Sequence, residues 1–279
     1  MKKTFIFFFI ILFYLPDTFT QSADTVLTNK KGTPILPRGG DIAIGTDALP
    51  YLRYLGNFFN GNTNNTLNLG SSTLYGKYFL TDNSAVRLLL HVSNSVSNNN
   101  YYVRDDAAWF QDPLSNDQVI DTRETMSSTL NLGAAYKKYR GYGRLLGFYG
   151  AQVSYYQNRT RYAYTYGNPI TEMNPLPSSQ FGYTNGGRLL REDNGLYYSA
   201  GGGILAGAEY YFLPKICIGA EINLSFYYNW STQEDSDFEK WDGSEVHEYT
   251  ILDSPGSSGF GINTDRPSTF GGLYLMFNF

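Results

Sequence analysis

The fold is decided by an alternating stretch, Ile216-Cys217-Ile218-Gly219-Ala220-Glu221-Ile222-Asn223-Leu224-Ser225-Phe226. Its even-numbered positions are apolar, and its odd-numbered positions are small or polar. Successive side chains of a β-strand point to opposite faces of the sheet, so this stretch predicts a strand with one apolar and one polar face. The pattern recurs over residues 86–95, where Val86 shares a face with Leu88 and Arg87 shares the other with His91. An apolar outer face and a polar inner face are typical of a transmembrane β-barrel, whereas a soluble barrel reverses them.

The same period of two recurs along the chain and predicts eight strands in all. They fall at about 40–46, 66–80, 85–97, 125–139, 145–163, 195–212, 216–232 and 268–279. Tight turns at 81–84, 141–144 and 213–215 alternate with long polar loops at 47–65, 98–124, 167–194 and 233–267. Such alternation predicts an all-β fold, an eight-stranded antiparallel up-and-down transmembrane β-barrel with turns on the periplasmic side and loops on the extracellular side.

The beginning of the chain has the pattern of an export signal. Lys2 and Lys3 precede an apolar run, Phe5 to Leu15, which has the length of a signal-peptide core and is too short to span a bilayer as a helix. We therefore predict a signal peptide at 1–20, a periplasmic N-terminal segment at 21–39 and the barrel domain at 40–279. The predicted location is the outer membrane of a Gram-negative bacterium.

Composition narrows the function classes. The chain is 16% charged and 17% aromatic, with 25 Tyr and a formal net charge of −4. An acidic chain without a basic stripe argues against a nucleic-acid partner. The single cysteine excludes an internal disulfide, and no spacing typical of a metal, nucleotide or other cofactor site occurs. Tyrosine suits the aromatic girdles of a barrel, which places outer-membrane lipids among the expected partners.

The last strand carries a further signal. Leu273, Leu275, Phe277 and Phe279 alternate up to a terminal aromatic residue. This resembles the C-terminal signal by which outer-membrane barrels are recognised, so we expect the barrel-assembly machinery to bind Leu275, Phe277 and Phe279.

Three stretches resemble the small OmpA-like outer-membrane β-barrel family: Gly76 to Asn83, Gly207 to Lys215, and Leu273 to Phe279. The resemblance covers the strands and tight turns but not the long loops. It implies the barrel fold and the outer-membrane location. It implies less about function, since members serve as envelope anchors and adhesion surfaces. We expect no wall anchoring, because the chain ends at Phe279 without a periplasmic peptidoglycan-binding domain.

Strand parity places charged residues inside the barrel. Arg87, Glu209 and Glu221 fall on inward positions, and Lys77 or Lys137 can join them. Buried carboxylates need cationic partners, and side chains just fill the interior of an eight-stranded barrel. These residues predict a luminal ion-pair network that plugs the barrel; a narrow channel for protons or ions is the alternative.

One stretch offers a catalytic alternative. His91 and Ser93 lie two residues apart and so share a strand face, and His91-Val92-Ser93-Asn94 resembles the His-x-Ser-Asn stretch of outer-membrane lipid A deacylases. In such a lipid-modifying hydrolase the resemblance makes His91 the base and Ser93 the nucleophile. A non-catalytic role, in which both fill the lumen by hydrogen bonding, is favoured because parity places them inside rather than towards lipid.

The loops are where we expect binding. Trp109 and Phe110 lie among acidic residues in the second long loop, where exposed aromatic side chains can contact a surface protein or glycan. His247 lies in another acidic loop, whose spacing fits no EF-hand. We therefore predict a non-enzymatic structural or surface-interaction role in the cell envelope, with any binding carried by the extracellular loops.

Overall fold

The computed structural model describes residues 27–61, 66–67, 72–264 and 272–279. The predicted signal peptide and the first residues of the predicted N-terminal segment lie outside these ranges. The described part contains eleven strands and two helices: β1 (Ile42–Asp47), α1 (Leu49–Phe59), β2 (Leu74–Thr81), β3 (Ser84–Arg104), α2 (Asp106–Gln111), β4 (Gln118–Tyr142), β5 (Leu145–Thr165), β6 (Arg188–Leu213), β7 (Ile216–Ser231), β8 (Glu234–Trp241), β9 (Val246–Ser254), β10 (Ser258–Asn263) and β11 (Gly272–Asn278). No helix among these residues is long and apolar enough to cross a membrane.

Hydrogen bonding closes eight of the strands into a ring. Strands β1 to β7 pair in chain order, and β11 closes the ring between β7 and β1, with every pair antiparallel. Ile44 lies opposite Phe277 and Ile218 lies opposite Leu275, so the first and last strands of the ring are in register at the seam. This confirms the predicted all-β, eight-stranded antiparallel barrel.

Several strands run further than predicted. β3 continues to Arg104 rather than about residue 97, β4 begins at Gln118 rather than 125, and β6 begins at Arg188 rather than 195. Asn98-Asn99-Asn100 has low strand propensity, but its register with β4 places Asn99 opposite Arg123 and keeps the backbone in the ladder. The opposite error affects the second strand. It begins at Leu74, not at 66, and the described residues 66–67 and 72–73 precede it without strand structure.

Regular structure also occurs where long loops were predicted. The segment 233–267 contains β8 and β9, which extend the sheet beyond the upper part of β6, and β10, which pairs with β7. The segment 47–65 contains α1, and 98–124 contains α2. β8 and β9 escaped detection because they carry polar residues on both faces and show no period of two in hydrophobicity.

The two faces of the barrel wall differ as lipid requires. Outward positions such as Leu88, Val92, Val153 and Ile222 are exposed and apolar. A continuous row of aromatic rings crosses the outer surface of β5, β6, β7 and β10: Tyr155, Tyr198, Trp230, Tyr228 and Phe260, with neighbouring ring centroids 4.8 to 6.4 Å apart. We call this row the extracellular girdle. From Tyr198 to Tyr210 along β6, a tilted strand rises about 30 Å, which matches the thickness of a bilayer core.

The core lies inside the barrel, in the half that carries the tight turns, which we call the periplasmic half after the prediction. Its buried apolar side chains include Phe79, Tyr139, Phe148, Tyr211 and Tyr274. Ile35, from the segment before the first strand, is only 1% exposed and belongs to the same cluster. Its carbonyl oxygen accepts a hydrogen bond of 2.9 Å from the Lys215 N–H in the turn between β6 and β7. The segment predicted as a periplasmic leader therefore packs against the periplasmic end of the barrel.

Candidate functional site

The lumen contains a buried ionic network built around two carboxylates. The first, Glu209 on β6, accepts hydrogen bonds from Lys77 Nζ at 2.5 Å and from the Tyr274 hydroxyl at 2.7 Å, both on Oε1. The Tyr139 hydroxyl also donates to Oε1, at 3.2 Å, and the Tyr211 hydroxyl donates to Oε2 at 3.0 Å. Four strands thus direct donors at one carboxylate, so that both of its oxygens accept hydrogen bonds from protein groups.

The second carboxylate, Glu221 on β7, binds two cations. Arg87 contacts it in bidentate fashion, with distances of 2.8 Å from Nη1 to Oε2 and 2.7 Å from Nη2 to Oε1. Lys137 Nζ donates to Oε2 at 2.8 Å and to the Tyr274 hydroxyl at 3.2 Å. Tyr274 therefore joins both carboxylates into a single network.

Aromatic rings complete the network. The Lys137 ammonium group lies 3.8 Å from the centre of the Phe148 ring, and the Arg87 guanidinium group lies 5.3 Å from that of Tyr75. A cation over an aromatic face is stabilised by the negative charge of that face. The Lys and Arg side chains outnumber the carboxylates by one, so these rings help to offset the extra buried positive charge.

The structure places all three predicted luminal residues, Arg87, Glu209 and Glu221, in this network. It brings both candidate lysines, Lys77 and Lys137, into it rather than one of them. The tyrosine donors escaped the sequence reasoning. Alternation in the last strand does place Tyr274 opposite to the apolar outer face, but the alternation does not show which carboxylate an inward tyrosine reaches.

His91 and Ser93 lie above the network on β3, facing the lumen. Their backbones lie opposite Asn131 and Thr129 of β4, and both side chains are half-buried. The His91 Nδ1 atom is buried and has no hydrogen-bond partner among the described residues. A hydrolase of this kind would need a carboxylate that hydrogen-bonds to the His91 ring and orients it. Among the described residues no carboxylate makes this hydrogen bond to Nδ1. In the same residues no cluster of three His, Cys, Asp or Glu side chains is placed to hold a metal ion.

A second polar structure stands above the membrane. Asp106, at the start of α2, accepts hydrogen bonds from the Ser178 N–H at 2.6 Å and from Asn174 Nδ2 at 2.9 Å, and Arg104 pairs with it at 3.0 Å. Asp121, fully buried, accepts from the backbone N–H groups of Gly167 and Gln180. The two aspartates fix the segment 166–187 onto the β3–α2–β4 hairpin, and we call the joined unit the extracellular cap.

The pKa of Asp106 reflects this anchoring. Burial acts to raise the pKa of the carboxyl group, but the hydrogen bonds from Ser178, Asn174 and Arg104 outweigh burial and hold it below its ordinary value. The charged form of Asp106 is thus the form that holds the cap together.

The predicted loop contacts lie on the cap. Trp109 and Phe110 both belong to α2; Trp109 is half-buried under the Arg104 guanidinium group, 4.5 Å from its ring centre, and Phe110 is 54% exposed. Leu114 on the same hairpin, and Met173 and Leu176 on the anchored segment, are exposed to an even greater degree.

Comparison with known families identifies the class of protein. The model of the OmpA-OmpF-like porin family matches residues 60–257, which is more than half of the chain. The chain belongs to this family. It is an outer-membrane β-barrel protein, in agreement with the resemblance seen in the sequence. A comparison with curated proteins found no significant match.

The family match covers residues of both the luminal ionic network and the extracellular cap. Arg87, Glu209 and Glu221 lie within residues 60–257, as does the whole extracellular cap. Tyr274 and Ile35, which complete the luminal network and its periplasmic closure, lie outside the matched range. The match therefore supports the barrel fold of this family member, but it assigns no function to the luminal network or to the cap.

The predicted assembly signal forms the closing strand of the ring. Leu275 lies opposite Thr46 on β1 and Ile218 on β7, and Phe277 lies between Ile44 and Ile216. Phe279 follows the strand, and its backbone N–H donates to the Ile42 carbonyl at 2.7 Å. Phe277 and Phe279 are exposed on the outer surface. Recognition by the assembly machinery stays a prediction.

Proposed function

We propose that this family member is a non-enzymatic component of the Gram-negative outer membrane that presents its extracellular cap to a surface partner. The barrel serves as the anchor, and the cap carries the specificity. The partner expected from the side chains of the cap is a protein or glycan with an apolar or aromatic-binding face, rather than a strongly charged polymer.

The observation that carries this proposal is the combination of order and exposure in the cap. Phe110, Leu114, Met173 and Leu176 are all more than half exposed, on two segments joined through the buried Asp106. Exposed apolar side chains on a fixed scaffold cost less conformational entropy on binding than the same side chains on a free loop. The closed periplasmic half of the lumen supports an anchoring role over a transport role.

Photo-crosslinking on intact cells tests this proposal. A photoreactive amino acid replaces Phe110 or Met173, and the same amino acid at Val153 on the lipid-facing wall serves as the matched control. We expect discrete protein or glycan adducts from the cap positions and only lipid adducts from Val153. Adducts should also disappear when Asp106→Asn releases the cap. Lipid adducts alone from both cap positions would contradict a surface-interaction role.

A further inference from the structure

Above the extracellular girdle, three arginines gather round one carboxylate on the outer wall of the barrel. Arg159 Nη2 lies 2.5 Å from Asp193 Oδ2, Arg161 Nε lies 3.1 Å from it, and Arg191 Nη1 lies 3.4 Å from it. Arg159 and Arg161 lie opposite the outward positions Ser128 and Met126 of β4, so their side chains face outside rather than into the lumen. We call Arg159, Arg161, Arg191 and Asp193 the wall cluster.

The charges of the wall cluster are unevenly shared. Arg191 also pairs with Asp237 at 2.6 Å and with Asp235 at 3.3 Å, both on β8. Counted with Asp235 and Asp237, the three arginines face three carboxylates; Arg159 and Arg161 share Asp193 as their ion-pair partner in the described residues, so the positive charge is concentrated on the β5 side and the negative charge on the β8 side. Glu124, opposite Ala163 further from the membrane, forms no ion pair with them there.

Asp193 holds the guanidinium groups without covering them. Its side chain is 5% exposed, while those of Arg159 and Arg161 are 33% and 39% exposed. The N–H of Gly195 donates to Asp193 Oδ1 at 3.0 Å and fixes the carboxylate in turn. Asp193 is thus a positioning residue, and the side chains of both arginines stay about one third exposed beside it.

The height of the cluster matches the headgroup layer of the membrane. Arg159 lies opposite Leu196, two residues from Tyr198 of the girdle on the extracellular side. On a tilted strand two residues rise about 5 Å, and the headgroup layer on each side of the hydrocarbon core is about 5–7 Å thick. Arg159 is thus at headgroup height, and Arg161, two residues further along β5, lies about 5 Å higher, from where a long arginine side chain can reach back to the phosphate level.

We propose that Arg159 and Arg161 bind a phosphorylated headgroup of an outer-leaflet lipid, with Asp193 fixing their orientation. Guanidinium groups match phosphate oxygens with paired, charge-assisted hydrogen bonds. Free phosphate and a lipid headgroup both present a phosphate anion to these arginines. The rings of Tyr155 and Tyr198 lie directly below and favour a lipid, because they offer its acyl chains a surface beside the anion. This site does not depend on what the cap binds.

Native mass spectrometry of the purified protein in detergent tests the site. The probes are bisphosphorylated lipid A, the same lipid after phosphatase treatment, and inorganic phosphate. We expect the unmodified protein to retain the phosphorylated lipid, and the Arg159→Gln, Arg161→Gln double variant to bind it at least about tenfold more weakly. The matched control, Lys30→Gln with Lys31→Gln, removes the same charge from exposed residues outside the cluster and the cap and should change the affinity less than about twofold.

A single variant guards against misfolding. Arg161→Gln leaves Asp193 paired with Arg159 and Arg191, so the barrel should fold, with an affinity loss of about threefold. Equal retention of lipid by the double variant, or equal binding of the phosphatase-treated lipid, would overturn the proposal. Inorganic phosphate bound as tightly as the lipid would make this a free-anion site and would also overturn it. If the photo-crosslinking experiment gave no protein or glycan adducts from the cap while the lipid still bound to the wall cluster, only the proposed function of the cap would be contradicted.

Discussion

At the scale of single residues, the lumen shows how a small barrel can bury charge. Glu221 has Arg87 on one side and Lys137 on the other, and all three side chains are at most 1% exposed. Taking such groups out of water is costly, and their attraction repays that cost only where geometry is good and the remaining donors and acceptors are satisfied. The bidentate contact of Arg87 and the tyrosine donors on Glu209 meet this condition.

Removing one carboxylate should therefore destabilise the barrel strongly. Glu221→Gln leaves the Arg87 and Lys137 cations facing a neutral amide, and we expect a loss of about 3–5 kcal/mol in the free energy of unfolding. Urea unfolding in lipid vesicles, followed by tryptophan fluorescence, measures it. Glu245→Gln, on an exposed loop residue, is the control and should change stability little. Equal stability of the two variants would show that Glu221 is not held by buried cations.

The parity of β7 has its own test. Asn223 is buried on the luminal face, and Leu224 follows it on the outer face. In a Cys217→Ser background, Leu224→Cys should react with a lipid-soluble thiol reagent, and Asn223→Cys should react at least about tenfold more slowly, because adjacent strand residues point to opposite faces. Mass spectrometry of the labelled protein gives both rates. Faster labelling at Asn223→Cys would reverse the assignment of faces.

At the scale of secondary-structure elements, the barrel continues into the cap without a change of backbone structure. β3 and β4 remain paired from Ser84 with Lys138 to Arg104 with Gln118. On the luminal side of this extension, Phe181 of the anchored segment packs against Tyr101, Tyr164 and Tyr166, with ring centroids 5.0 to 6.0 Å apart. The cap is held by strands, buried aspartates and this aromatic cluster together.

The cap should loosen in acid. The pKa of Asp106 in the folded protein lies below its ordinary value of 3.8, so the charged group contributes stability above that value and loses it as the pH falls through the folded pKa. Asp106→Asn should reproduce the loss at neutral pH, because an amide accepts through a single oxygen. We expect roughly tenfold faster protease cleavage within 166–187 in this variant.

Limited proteolysis from pH 7 down to about pH 3, followed by mass spectrometry, measures the rate of cleavage within residues 166–187 of the cap. Asp117→Asn is the matched control, since Asp117 lies exposed on the same hairpin and its side chain bonds to Ser115. Cleavage of the Asp106 and control variants at the same rate would contradict the anchoring role of Asp106.

The hydrophobic period of two in the sequence predicts the eight-stranded ring, but it predicts only part of the structure on the extracellular side of that ring. Alternation in β7 and β11 reveals the lipid-facing wall, because lipid imposes an apolar residue at every second position. β8 carries polar residues on both of its faces, and Phe238 is its one buried apolar side chain, so Asp235 and Asp237 show no period of two in hydrophobicity. The charge of Glu209 and Glu221 predicts an ionic lumen, yet the donors from Tyr139, Tyr211 and Tyr274 depend on distances across the barrel that the order of residues does not contain.

At the scale of the whole molecule, the two ends of the lumen differ. In the periplasmic half, Ile35 and the core rings close around the ionic network. In the extracellular half the inward positions are polar, and Ser95, Ser97 and Asn99 on β3 are exposed. The apolar closure of the lumen thus lies in its periplasmic half, which suits an anchor with an exposed binding surface better than a conduit.

Conductance measurements decide between the plug and the narrow channel. In planar bilayers we expect no stable openings from the unmodified protein, because the side chains of Lys77, Glu209, Arg87 and Glu221 fill the lumen with contacts of 2.5 to 2.8 Å. Lys77→Ala with Glu209→Ala removes one ion pair without changing net charge and should produce brief openings, whereas the loop variant Glu245→Gln should stay silent. Steady ion-selective openings from the unmodified protein would refute the closed lumen, and silence of the double variant would assign the seal to Ile35 and the rings around it.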